Sequence, residues 1–176
     1  MKHLLRKTLA LTAACVAVGA HAEGLYVGGA LTAPDYHDSI NGYGDGKGGT
    51  GPGFKLYGGW QYHPNFGVEA NVFNLGRTNG GIGGDARVWG IGVDAVGRYE
   101  LSPGWWAMAS AGVAQARFKT PAGNDNGPGL KLGLGLQYDL SRTTSIRVGY
   151  DQYKFNDVYS VKPTVGQTTL GMNLAF

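Results

Sequence analysis

Cysteine is nearly missing from this chain: the single copy is Cys15. Everything after residue 22 therefore lacks a disulfide, a thiolate nucleophile and a cysteine ligand for a metal. Long apolar runs are missing as well. Beyond residue 22 nothing approaches the ~20 consecutive apolar residues of a spanning helix, which excludes a helical membrane protein. An excess of one charge sign is missing once the N-terminus is set aside. Of 15 Lys and Arg, three lie in the first 22 residues, leaving 12 against 12 Asp and Glu, all of which follow Ala22. The sequence pI of about 9.0 thus belongs mostly to the N-terminus and gives no footing for nucleic acid. Glycine, by contrast, is abundant, with 32 copies that follow no three-residue period and so exclude collagen. Abundant glycine without a sustained helical period predicts an all-β chain.

The first residues have their own logic. Lys2, Arg6 and Lys7 precede an apolar run over 9–20, and Ala20-His21-Ala22 has the small-x-small form of a signal-peptidase site. The reading is a removable secretion signal over 1–22, cleaved after Ala22, followed by one domain over 23–176.

Residues 53–76, GFKLYGGWQYHPNFGVEANVFNLG, resolve when every second position is taken together. Phe54, Leu56, Trp60 and Tyr62 share one face with Gly58, while Lys55, Tyr57, Gly59 and Gln61 share the other. The second arm repeats the period, with Phe66, Val68, Ala70 and Val72 against Gly67, Glu69, Asn71 and Phe73. His63-Pro64-Asn65 between them is long enough only for a tight reversal, and proline brings no amide to a ladder. This predicts a β-hairpin with Lys55 and Glu69 on the same face.

Six more strands follow the same rule. The first runs from Leu25 to a stop at Pro34, the fourth spans 87–99 and the fifth 105–119. In the fourth, Trp89, Ile91, Val93, Ala95 and Tyr99 oppose Asp94 and Arg98. The sixth alternates most strictly, Leu130, Leu132, Leu134, Leu136, Tyr138 and Leu140 against Lys131, Gly133, Gly135, Gln137 and Asp139. In the seventh, Ile146, Val148 and Tyr150 oppose Arg147, Gly149, Asp151 and Tyr153. The eighth sets Leu170, Met172, Leu174 and Phe176 against Thr169, Gly171, Asn173 and Ala175. Polar, glycine-rich stretches over 35–51, 77–85, 120–128 and 156–165 read as long loops, alternating with short turns after strands two, four and six.

An even strand count with alternating short and long connections predicts an eight-stranded antiparallel up-and-down transmembrane β-barrel, with short periplasmic turns and four longer outer loops. In such a barrel the apolar face meets lipid, and the lumen takes Lys55, Glu69, Asp94, Arg98, Gln137, Asp139, Arg147 and Asp151. A soluble barrel would instead pack its leucines inside. Trp60, Tyr62, Trp105, Trp106, Tyr138, Tyr150 and Phe176 are the expected aromatic girdle at the headgroup boundary.

The run KLYGGWQYHPNFGVEANVFNLGR resembles the second and third strands of the OmpA-like transmembrane-domain family, and the likeness continues through WGIGVDAVGRYELSP, LGLGLQYDLS and SIRVGYDQY. The terminal Leu170-x-Met172-x-Leu174-x-Phe176 resembles the closing signature of outer-membrane barrels of Gram-negative bacteria. The resemblance implies an integral outer-membrane protein. It also implies recognition by the barrel-insertion machinery through the strand ending in Phe176, and contact with membrane lipid and lipopolysaccharide. In that family, lumenal charges pair across the interior and close or switch a narrow pore. Glu69 and Arg147 match two of those charges. Gln137 stands where the family has a second glutamate and Ala95 where it has a lysine, so the carry-over is one Glu69–Arg147 bridge supported by Lys55, Gln137 and Asp151.

The expected role is structural or one of surface interaction, the alternative a narrow, porin-like pore. A lipid A-modifying enzyme would need a serine beside a histidine, and beyond residue 22 the histidines are only His37 and His63. Ser39 near His37 is the one pair, in a glycine-rich loop that would not hold reacting groups in register. His37, Asp38, Asn41 and Asp45 follow no metal-ligand spacing, so no metal or other cofactor is expected.

Overall fold

A computed structural model describes residues 24–36, 51–78, 86–120, 123–156 and 164–176. The proposed leader, the His37–Ser39 pair and the polar cluster around Asp38, Asn41 and Asp45 lie outside the described residues.

Eight strands follow one another: β1 (Leu25–Tyr36), β2 (Gly53–His63), β3 (Phe66–Thr78), β4 (Ala86–Ser102), β5 (Trp105–Thr120), β6 (Gly123–Asp139), β7 (Thr144–Phe155) and β8 (Thr164–Ala175). Each pairs antiparallel with the next, and β1 pairs with β8, so the sheet closes into a barrel. The closing ladder runs from Tyr26 opposite Ala175 to Tyr36 opposite Val165, and the amide of Phe176 donates to Leu25 O at 2.9 Å. Closure leaves no unpaired edge, which is what a sheet surrounded by hydrocarbon requires.

The short connections sit together at one end. Pro64 and Asn65 join β2 to β3, Pro103 and Gly104 join β4 to β5, and residues 140–143 join β6 to β7. Pro103 at the second position of a four-residue turn presets φ, and Gly104 at the third has φ +81°, a region closed to most side chains. The first turn is tied from outside: Arg98 N donates to Asn65 O at 2.8 Å and Asn65 Nδ2 donates to Arg98 O at 3.0 Å.

The pleat turns the apolar row of β6 outward, with Leu134 72% exposed, and Phe54, Leu56, Val93, Leu170 and Met172 on other strands point the same way. The inner face buries Lys55, Glu69, Asp94, Lys131 and Asp151. A soluble sheet would reverse this arrangement, so the surrounding solvent must be apolar.

Strand limits depart from the sequence reading where neighbours override composition. Residues 120–128 read as a loop, yet β6 begins at Gly123 and its ladder with β5 runs unbroken from Gln115 opposite Pro128 to Thr120 opposite Gly123. Pro34 does not end β1. The β2 partner stops at Gly53 opposite Thr32, so Pro34 needs a partner only in β8, where it meets Gln167. Val165, assigned to the last loop, is fully buried in β8. β4 holds one register through Gly90 and Gly92, with no shift at the glycines.

Candidate functional site

The inner faces build three layers along the barrel axis. At the end with the short turns, Gln137 Nε2 donates to Asp139 Oδ1 at 3.0 Å, and Asn173 Nδ2 donates to Gln137 Oε1 at 3.1 Å and Ser145 Oγ at 3.2 Å. Trp106 Nε1 donates to Asp139 Oδ2 at 2.8 Å, and the Arg98 guanidinium lies 4.5 Å over the Trp106 ring while its Nε donates to Pro64 O. These groups edge a vestibule of about 360 Å³, whose lining includes Tyr26, Gln61, Arg98 and Arg147.

Above it lies a chain of six charges in strict alternation. Arg147 Nη1 reaches Glu69 Oε2 at 2.7 Å, Glu69 Oε1 faces Lys55 Nζ at 3.5 Å, and Lys55 Nζ meets Asp151 Oδ2 at 3.0 Å. Asp151 Oδ1 faces Lys131 Nζ at 3.5 Å, and Lys131 Nζ meets Asp94 Oδ2 at 2.5 Å. Three cations thus balance three anions in a space nearly closed to water. Neutral donors add to the shell: Tyr26 Oη donates to Glu69 Oε2 at 3.1 Å and Asn71 Nδ2 to Asp94 Oδ2 at 2.8 Å, while Asp94 Oδ1 and Arg147 Nε are buried without a hydrogen-bond partner among the described residues. The Arg147 guanidinium also packs between the rings of Tyr57 and Tyr26, at 4.9 and 5.7 Å, and Tyr57 Oη donates to Asn173 Oδ1.

Glycine makes this crowding possible. A Cβ at Gly112 on β5 would stand 2.3 Å from Asp94 Oδ1, and one at Gly133 would stand 2.3 Å from Asp151 Oδ1. Gly112 lies between its register partners Asp94 on β4 and Lys131 on β6, so its missing side chain is what lets those two meet across β5.

The third layer is apolar. Phe73, Leu75, Val88, Ala114, Ala116, Phe118, Tyr153, Phe155 and Val165 form one buried cluster in the outer half of the lumen. Ring centroids of Phe73 and Tyr153 are 4.8 Å apart, and those of Phe118 and Phe155 are 5.2 Å apart. A cavity of about 40 Å³ lies beside the ionic layer, with Lys55, Glu69 and Arg147 among its lining.

A closed eight-stranded sheet, apolar outside and ionic within, makes a specific comparison possible. The family model of the outer membrane protein beta-barrel domain matches residues 8–176. The chain belongs to that family. Among solved structures it is similar to Neisserial surface protein A, at 15% identity over 88% of this chain and 98% of the other, with TM-score 0.71. It is similar to Ail, the attachment invasion locus protein of Yersinia pestis, at 21% identity over 88% and 99%, TM-score 0.51. OprG of Pseudomonas aeruginosa gives 15% identity over 89% and 98%, TM-score 0.57. At such identities the likeness is one of fold. No curated protein matches the chain in sequence.

Within this family fold, the residues expected in the lumen all point inward, but they divide into two groups. Glu69, Arg147, Lys55, Asp151 and Asp94 join the ionic chain, whereas Gln137, Asp139 and Arg98 belong to the network below. Gln137 therefore does not support the Glu69–Arg147 pair directly. The lysine sought on β4 near Ala95 comes from the opposite side of β5: Lys131 on β6 reaches the β4 carboxylate. Its signal was present as the one cation on the small-residue face of β6.

The girdle needs two corrections. Trp106 is not part of it: adjacent residues on a strand face opposite sides, so Trp105 faces out against Tyr138 at 4.7 Å while Trp106 turns into the lumen. Tyr150 faces outward but pairs with Leu134, six positions along β7 from Thr144, in the middle of the apolar band rather than at its rim. Trp60, Tyr62, Trp105, Tyr138 and Phe176 face outward near the end carrying the short turns. Among the described residues no group of three His, Cys, Asp or Glu side chains has a metal-binding arrangement. His63 serves its own turn, with Nδ1 accepting from Asn65 N at 3.1 Å.

Proposed function

We propose that this chain is an integral protein of the outer membrane of a Gram-negative bacterium with a structural or surface-interaction role, and that its barrel is closed to solute. The observation carrying this reading is the stacking of an apolar layer, with Phe73, Phe118, Tyr153 and Phe155 at its centre, on a charge-neutral ionic chain. Ions crossing the lumen would have to displace interlocked aromatic rings as well as break buried ion pairs. Family membership supports the location, and the outward leucine row supports direct contact with acyl chains.

The test is planar-bilayer recording on purified, refolded protein. No steady conductance steps are expected from the wild type, and Glu69→Ala or Arg147→Ala should not open one, because the apolar layer remains. Steady steps in the wild type, altered by either substitution, would overturn closure and favour the porin-like reading. One observation favours that second reading: the vestibule at the side of the short turns has Arg147 in its lining, which gives an ion access to the first member of the ionic chain.

A further inference from the structure

The ion pairs described above do not include three neighbouring cations on the outer face of β4 and β5. Arg87 on β4 and Lys119 on β5 are direct register partners, and both are exposed. Arg117, two positions from Lys119 and therefore on the same face, is exposed and pairs in register with Trp89. Like charges placed directly opposite on a sheet repel and weaken it. Among the described residues no carboxylate pairs with Arg87, Arg117 or Lys119, while in the ionic chain of the same barrel Lys55, Lys131 and Arg147 each have a carboxylate partner. The cluster is also partly ordered. Arg117 Nε donates to Asn126 Oδ1 at 3.2 Å, and its guanidinium lies 5.8 Å from the Trp89 ring.

Height along the barrel identifies what this face meets. From Trp105 in the inner girdle to Arg117 is twelve positions along β5. With strands tilted as in such barrels this is roughly 30 Å along the normal, just beyond an apolar band of ~25 Å. The outward residues between them are Ala107, Ala109, Ala111 and Val113, then Gln115 as the first polar one. The three cations therefore stand at the level of the headgroups, at the end with the long connections, beside an aromatic ring suited to that boundary.

We propose that Arg87, Arg117 and Lys119 form a binding site for a phosphate group carried on a lipid headgroup of the outer leaflet. The lipid's acyl chains would lie down the wall past Trp89, Ile91 and Val113, which are exposed below the cluster. Guanidinium groups suit phosphate because they donate two parallel hydrogen bonds, and three cations together more than balance the charge of about −1.5 to −2 on a phosphate monoester. The inference rests on the reading of the chain as an outer-membrane barrel with its long connections outward.

The experiment uses the full barrel in phosphatidylcholine nanodiscs containing a small fraction of bis-phosphorylated lipid A or its dephosphorylated form. Native mass spectrometry counts the lipids retained. The wild type should retain the phosphorylated form preferentially, and the triple variant R87Q/R117Q/K119Q should lose roughly ten- to hundredfold in that preference. Equal retention of both lipids by the wild type, or an unchanged preference in the triple variant, overturns the site. Competition with inorganic phosphate separates the two sources of the ligand. Release of the lipid by millimolar phosphate would mean a soluble anion site and would overturn the lipid assignment. All three side chains are exposed, so the variant should fold, and the shift in electrophoretic mobility between boiled and unboiled samples checks that it does. The charge-retaining K119R should keep the preference. Failure here with an unchanged mobility shift and a silent bilayer would sink the phosphate site alone, whereas a conducting wild type would sink the closed-barrel reading alone.

Discussion

Lys131 is the residue on which the interior turns, because it joins the terminal carboxylate of the ionic chain, Asp94, to the rest. It contacts two carboxylates, Asp94 and Asp151, and is almost wholly buried. Lys131→Met should leave Asp94 with only Asn71 as donor and cost about 3–5 kcal/mol, the usual result of stripping one partner from a buried pair. Urea unfolding in detergent micelles, followed by tryptophan fluorescence, measures this directly. The double variant Lys131→Met/Asp94→Leu should recover much of the loss, since removing both charges removes the unpaired one. Gly112→Ala should also destabilise, by about 1–3 kcal/mol, because the new methyl would stand 2.2 Å from Val93 O as well as against Asp94. At this scale the sequence was legible in part. Alternation placed Lys55, Glu69 and Arg147 inward, because the pleat decides direction within one strand. It did not reveal which charges meet, because Asp94 and Lys131 are 37 positions apart and join only through the gap that Gly112 leaves.

Among the elements, the hairpin of β5 and β6 departs most from its composition. Asn124, Asp125, Asn126, Gly127 and Pro128 have poor strand propensity, yet all lie within β6 and pair in register with β5. The ladder continues because β5 carries Arg117, Phe118 and Lys119 alongside, and Phe118 anchors that height of the barrel in the apolar cluster. Amides of 124–127 engaged in this ladder should therefore exchange slowly, with protection approaching that of 130–136, when measured by hydrogen exchange in micelles. Exchange at loop-like rates would contradict the extended hairpin. The two tryptophans at the start of β5 carry the opposite lesson. Their neighbouring positions in the sequence assign them to opposite faces, and strict period-two reading of 105–106 would have separated the girdle member from the lumenal one. The apolar layer was not legible for a related reason: Phe73 and Tyr153 alternate onto the inner faces, but Phe118 sits between Arg117 and Lys119, Phe155 between Lys154 and Asn156, and Val165 at the end of a polar stretch that reads as a loop.

For the molecule as a whole, the strand count, the alternation of short and long connections and closure were all legible, because a membrane barrel repeats one rule eight times. One rule missing from that list was the change of lumen character along the axis, from ionic to apolar. Assembly should depend on the last strand more than stability does. Phe176 lies outside the ladder of β8 itself, faces outward and bonds through its backbone to Leu25 O, so Phe176→Ala leaves that hydrogen bond in place. We expect the variant to refold in detergent with little loss of stability but to reach the outer membrane in reduced amount in cells. Cell fractionation compared with in vitro refolding checks this, and equal amounts in cells would refute recognition through the terminal side chain.

The seam between β8 and β1 is hydrogen-bonded like any other neighbouring pair, and the two strand ends there are adjacent. The cylinder consequently has no privileged starting point. A rearranged gene that splices Phe176 to Gly24 through a brief bridging peptide, and opens the chain instead between Pro103 and Gly104, would preserve every neighbour relation among the strands. It would move the last-made segment from β8 to β4, separating the order of synthesis from the geometry of the finished wall.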